Sequence, residues 1–123
     1  MNRVPLEAFE QELIFKWRDQ NKIKYPDLAL LHSSGNGLRL TPGQATKAKK
    51  QGLTKGLPDI FLPVPKNNYY GLFIELKRIK GGKVSPEQEM FIKALEKQGY
   101  KAKVCHGHQE SIEIIKEYLG IKD

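Results

Sequence analysis

A chain of 123 residues fits one compact domain, and an apolar share of 39% supplies a modest core, so helices should cover a sheet rather than build a second lobe. Lys and Arg outnumber Asp and Glu by 21 to 14, and the resulting +7 points to a polyanionic partner held through phosphate contacts. One cysteine excludes an internal disulfide and a cysteine-rich zinc site. With no apolar run of signal length and none of membrane-spanning length, the sequence reads as soluble and intracellular.

In chain order, residues 5–21 read as a helix. Leu6, Phe9, Leu13, Ile14 and Trp17 recur at helical spacing, and Pro5 suits a first turn. Residues 27–33 carry the run Leu28-Ala29-Leu30-Leu31 between Pro26 and Ser34-Gly35-Asn36-Gly37, which predicts a strand and then a loop. Thr41-Pro42-Gly43-Gln44 opens a second helix, with Thr41 as cap and Pro42 at its first position, ending near Gly52. The stretch 41–56 holds Lys47, Lys49, Lys50 and Lys55 and no acid.

Residues 57–64 form a strand candidate ended by Pro63 and Pro65, and Lys66-Asn67-Asn68 is a turn. Residues 70–79 are the clearest strand, with 71, 73, 75 and 77 on one face and Leu72, Ile74 and Leu76 on the other. Gly81-Gly82 breaks it. Ser85-Pro86-Glu87-Gln88 opens a third helix with apolar face Phe91, Ile92 and Leu95, closed by Gly99. A last strand spans 100–105, where Cys105 is a small apolar filler. A last helix spans 110–119. His106 and His108 bracket Gly107 in a loop and read as surface histidines; with His32 they make no ligand set. The order α-β-α-β-β-α-β-α is an α/β domain with a mixed sheet.

Three residues are out of place in an apolar frame. Asp59 begins the strand Pro58-Asp59-Ile60-Phe61-Leu62, and Glu75 and Lys77 sit inside Leu72-Phe73-Ile74-Glu75-Leu76-Lys77. Such residues are rarely buried unless paired. The plain alternative is the solvated side of an edge strand. Alternation puts Glu75 beside Lys77, and a hairpin through Lys66–Asn68 would bring Asp59 near Glu75. Two carboxylates that close repel unless a divalent cation neutralises them, and hard oxygen ligands suit Mg²⁺ or Mn²⁺. Such a cation promotes phosphodiester hydrolysis, with an adjacent lysine offsetting charge on the phosphate.

Gly56-Leu57-Pro58-Asp59 followed by Phe73-Ile74-Glu75-Leu76-Lys77 resembles the PD-(D/E)xK nuclease signature. With Ala48-Lys49-Lys50-Gln51-Gly52, Lys83-Val84-Ser85-Pro86-Glu87-Gln88 and Leu95-Glu96-Lys97-Gln98-Gly99-Tyr100 in order, the chain resembles the VRR-NUC domain. The resemblance implies a restriction-endonuclease-like αβββαβ core, a mixed central sheet flanked by helices, as a single domain over 1–123. It implies that Asp59, Glu75 and the backbone carbonyl of Leu76 hold Mg²⁺ or Mn²⁺ and that Lys77 is catalytic. A helix-one glutamate would join the metal: the family spacing fits Glu7, Gln11 and Trp17, while Glu10, inside the apolar face, is the alternative.

Ser85 and Gln88 make a capping box, and the resemblance adds a role for Gln88 in the active site. Stand-alone members are typically viral or bacterial, and similar ones act as dimers on branched DNA, including four-way junctions. The expected function is therefore a structure-selective DNA endonuclease, a homodimer in the cytoplasm of a bacterial cell or phage-infected host. The alternatives are a nuclease for flaps, single strands or ends, and a non-cleaving basic DNA-binding module. Lys47, Lys49, Lys50 and Lys55, with Arg78, Lys80 and Lys83, are the candidate phosphate contacts. Ser34 to Arg39 reads as a turn, with a substrate-facing Asn36 and Arg39 as the alternative.

Overall fold

The computed structural model describes residues 6–122. Helix α1 (Glu7–Asn21) leads to a short 3-10 turn (Pro26–Leu30), strand β1 (His32–Ser33) and helix α2 (Pro42–Lys50). Strands β2 (Ile60–Leu62) and β3 (Leu72–Lys77) follow, then helix α3 (Pro86–Lys97), strand β4 (Lys101–His106) and helix α4 (Gly107–Leu119). Pro5, assigned to the first turn of the first helix, lies outside the described residues.

The four strands form one sheet in the order β1-β2-β3-β4. The first two pairings are antiparallel, and α3 is the crossover that sets β4 parallel to β3. β3 is therefore a central strand, and all six of its residues are buried. That removes the solvated edge-strand account of Glu75 and Lys77. Leu72, Ile74 and Leu76 join Ile14 of α1 and Ile115 and Tyr118 of α4 in the core, with Cys105 fully buried among them. The Tyr118 hydroxyl donates to the Val64 carbonyl at 2.6 Å, so the largest buried ring leaves no polar atom unpaired. On the other face Phe61 stacks on Phe73 at 4.1 Å, with Tyr100 edge-on to Phe73.

The strand predicted over 27–33 is a correction. Its first part is the 3-10 turn, opened by Pro26, and only His32–Ser33 pair with β2. Pro26 fixes the first φ of the turn, and the residues it buries are Leu28 and Leu31, three apart, while Leu30 is half exposed. A three-residue period is that of a 3-10 helix, not a pleat. Helix α4 also starts three residues earlier than predicted, so Gly107 and His108 are its first turn rather than a loop.

Both predicted caps form. Thr41 and Ser85 each accept from the amide three residues on, and Gln44 and Gln88 return the bond to the cap amide.

Candidate active site

The register of β2 against β3 pairs Ile60 with Ile74, and one step further brings Asp59 opposite Glu75. Asp59 is fixed there by two backbone bonds. Its Oδ2 accepts from the Leu76 amide at 2.8 Å, and its carbonyl accepts from the Ser34 amide at 2.8 Å. Glu75 Oε2 accepts from Gln88 Nε2 at 3.0 Å and lies 3.5 Å from Lys77 Nζ. Gln88 thus closes the α3 cap with its oxygen and holds Glu75 with its nitrogen. Glu75 is 2% exposed, and its Oε1 is buried with no hydrogen-bond partner. A buried carboxylate oxygen left unsatisfied is rare unless a ligand belongs there.

The electrostatics agree. Burial, then the negative charge of Asp59, pushes the Glu75 carboxyl up to about 8, with Lys77 pulling the other way. Burial also raises Asp59, against the Leu76 amide that lowers it. Two carboxyls pushed upward side by side make a site short of positive charge, which a divalent cation corrects. Among the described residues no group of three or more His, Cys, Asp or Glu is arranged to hold a metal. Two carboxylates are on hand, so any further ligands would come from a carbonyl, water or a moved side chain.

An open cleft of about 300 Å³ lies over the pair, lined by Glu7, Asn36, Lys49, Lys55, Asp59, Glu75 and Gln88 among others. Glu7 faces it from α1 and is exposed. Glu10 does not face it. It is 1% exposed, and its Oε2 accepts from the His108 amide at 2.5 Å and pairs with His108 Nδ1 at 2.6 Å. The buried carboxylate thereby caps the N-terminus of α4. A charge inside an apolar helical stripe was the sequence signal for such a partner. His108, read as a surface side chain, is instead that partner, and His106 pairs with the Arg78 carbonyl at 2.9 Å.

The basic residues divide. Lys49 and Lys55 stand on the cleft wall, and Lys55 lies 3.7 Å from Glu87. Lys47, Lys50, Lys80 and Lys83 are exposed outside the residues that line it. Arg78 is half-buried, with Nε buried and unpaired. The loop after β3 folds back on the site, since a Cβ on Gly82 would lie 3.1 Å from Lys77 Cβ.

Two features of the wall were not read from sequence. Asn36 Nδ2 donates to the carbonyls of Thr54 and Leu57, each at 3.0 Å, and so clamps the segment carrying Lys55. Gly56, at φ +94°, seats that segment on α3: a Cβ there would lie 2.8 Å from the Glu87 carbonyl oxygen. An asparagine in a glycine-rich turn satisfies a local reading, which hid its partners 18 and 21 residues away.

The VRR-NUC domain model matches residues 6–109, a span that runs from α1 through the carboxylate pair to the first turn of α4. A solved structure described as a VRR_NUC domain protein is 28% identical, covering 99% of this chain and 94% of that one with a TM-score of 0.80. No curated protein matches. The match takes in every element that builds the site, and on that ground this chain, a nuclease-type domain by its family, belongs to the VRR-NUC family.

Proposed function

We propose that the protein is a Mg²⁺- or Mn²⁺-dependent endodeoxyribonuclease that cuts branched DNA, resolving four-way junctions as a homodimer in the cytoplasm of a bacterial cell or phage-infected host. The observation that carries the hydrolytic reading is the orphaned, buried Oε1 of Glu75 beside the Asp59 carboxyl. Hard oxygen donors of this kind fit Mg²⁺ or Mn²⁺ better than softer metals. Asp59, Glu75 and the Leu76 carbonyl would hold the ion, with Glu7 close by; when bound it acidifies water and offsets phosphate charge.

The chain's own groups supply the rest. Gln88 orients Glu75 by its 3.0 Å bond, so the free oxygen keeps one direction. Lys77, 6% exposed, presents a cation against the charge that grows on a phosphate at this spot. Lys49 and Lys55 on the cleft wall suit the flanking phosphates. Backbone contacts of this kind read shape rather than bases, which agrees with a branched substrate. Two symmetric cuts need two sites, and one 123-residue domain carries one, hence the homodimer.

The test is cleavage of a synthetic four-way junction, a flap and a linear duplex in Mg²⁺, Mn²⁺ or EDTA. Metal-dependent cutting is expected on the junction first, with loss of at least about a hundredfold in Lys77→Met. No metal-dependent cutting of any of the three would refute the nuclease reading, and binding without cutting would leave a non-cleaving DNA-binding module. Cutting that survives Asp59→Ala would overturn the site.

A further inference from the structure

Beside the cleft over the carboxylates lies a second hollow of about 410 Å³, set between α1 and the loop after β1. Its lining includes Gln11, Glu12 and Phe15 from the helix and Gly37, Leu38 and Arg39 from the loop. The two hollows adjoin. Gly37 lines both, and a small cleft lined by Glu7, Gln11, Gly37, Asp59 and Leu76 bridges them. Between the hollows Gly37 and Gln11 lie close together: a Cβ added at Gly37 would stand 3.3 Å from Gln11 Oε1. The two hollows therefore lie side by side, one lined by Lys49, Lys55 and Asp59 and the other by Arg39.

We propose that this second hollow receives the base of one unpaired nucleotide next to the scissile phosphate, with Arg39 on that nucleotide's own phosphate. The inference rests on the nuclease reading above and names the neighbouring subsite of the same strand. Three observations carry it. The hollow's lining includes two apolar side chains, Leu38 from the loop, 67% exposed, and Phe15 from the helix, which is partly buried against the core with the Arg18 guanidinium 4.7 Å from its ring centroid. Arg39 is exposed and paired with no acid or acceptor among the described residues. Glu12 adds an acceptor that suits the amino group of a base and disfavours a second phosphate in the body of the hollow.

The loop that presents Leu38 and Arg39 is not free to drift. Asn36 bolts it to Thr54 and Leu57, and the Ser33 hydroxyl, which accepts from the Gly35 amide at 3.0 Å and from Gln11 Nε2 at 3.2 Å, bolts it to α1. A fixed apolar slot beside a single cation suits an unstacked base and its phosphate, because every base has an apolar face while only an unpaired one can leave the duplex. Such a slot favours DNA whose bases unpair readily near the cut, as the end pairs at a branch point do.

The test places 2-aminopurine in turn at each of the nucleotides flanking the cut of a four-way junction, and titrates the protein in Ca²⁺. A several-fold rise in fluorescence at one flanking position, lost in Leu38→Ala and in Arg39→Gln, is expected. In Mg²⁺ the double variant should raise KM by about tenfold, the loss of one such base contact, with kcat little changed. Both side chains are exposed, so the folded state survives both changes, and a circular dichroism melt matching wild type confirms it. No fluorescence change at any flanking position, or wild-type KM in the double variant, overturns the subsite while leaving a cutting enzyme intact. A protein that cuts none of the substrates would instead refute the nuclease reading, and the subsite, which is defined by the cut, would fall with it.

Discussion

The Glu75 carboxyl, pushed up to about 8 from an ordinary 4.5 by burial and by Asp59, makes stability depend on pH in a calculable way. In the unfolded chain the group ionises near its ordinary value, while the metal-free folded protein keeps the proton until about pH 8. The folded state therefore binds the extra proton across that window. Its contribution is complete below pH 4.5 and is lost as pH rises to about 8. One group titrating this way changes stability by about 1.4 kcal/mol per pH unit, so about 2–3 kcal/mol should go between about pH 5 and pH 7. For a domain of this size that is a fall in Tm of roughly 5–10 °C. Glu75→Gln is neutral at every pH and keeps an acceptor for Gln88. Melting curves in EDTA at about pH 5, 6 and 7 should show the fall in wild type and a much shallower one in the variant, with Asp59 contributing the remainder. Mn²⁺ at about a hundred times its dissociation constant should restore close to 3 kcal/mol to the wild type near pH 7 and little to Glu75→Gln. Equal pH slopes in the two proteins would refute the argument that Glu75 is held protonated by its site.

Three further outcomes follow from the packing. Gly56→Ala puts a Cβ 2.8 Å from the backbone oxygen of Glu87 at a φ of +94°, so urea unfolding should show a loss of about 2 kcal/mol or more. Gln88→Ala removes both the return bond of the α3 cap and the donor that orients Glu75; denaturant melts should lose about 1 kcal/mol, and cleavage should drop about 10- to 100-fold. Glu10→Ala empties a buried site and leaves the first turn of α4 and His108 without their acceptor; thermal unfolding should register a loss of about 2–4 kcal/mol. Glu10→Ala should leave metal binding at the Asp59 pair unchanged, as read by the Mn²⁺-induced shift in Tm.

Legibility in the sequence followed how local each signal was. The caps at Thr41 and Ser85 and the alternation through 70–79 are short-range patterns; both capped helices formed, and the strand formed over its inner part, Leu72–Lys77. The proximity of Asp59 to Glu75 needed only one hairpin, and the register supplied it. The 3-10 turn at Pro26–Leu30 was misread because a four-residue apolar run carries no period of its own. Which glutamate of α1 meets the cleft could not come from helical angles alone. Glu10 had the more buried angle, and it is buried because His108, 98 residues later, receives it. Asn36 shows the same limit: its two acceptors are backbone carbonyls, and a carbonyl has no signature in the sequence.

The bond between Glu10 and His108 also sets an order of events during synthesis. Helix α1 leaves the ribosome first, yet part of the surface that fixes it belongs to α4, the last helix made, whose Ile115 and Tyr118 complete the core around Ile14. Until residue 108 and the turns behind it emerge, α1 lacks one of the contacts that hold Glu7 at the cleft. A nascent chain thus carries the carboxylate pair long before it carries the finished cleft. Ribosome-bound chains ending before α4 should cut DNA less than the full chain even though β2, β3 and Lys77 are already present.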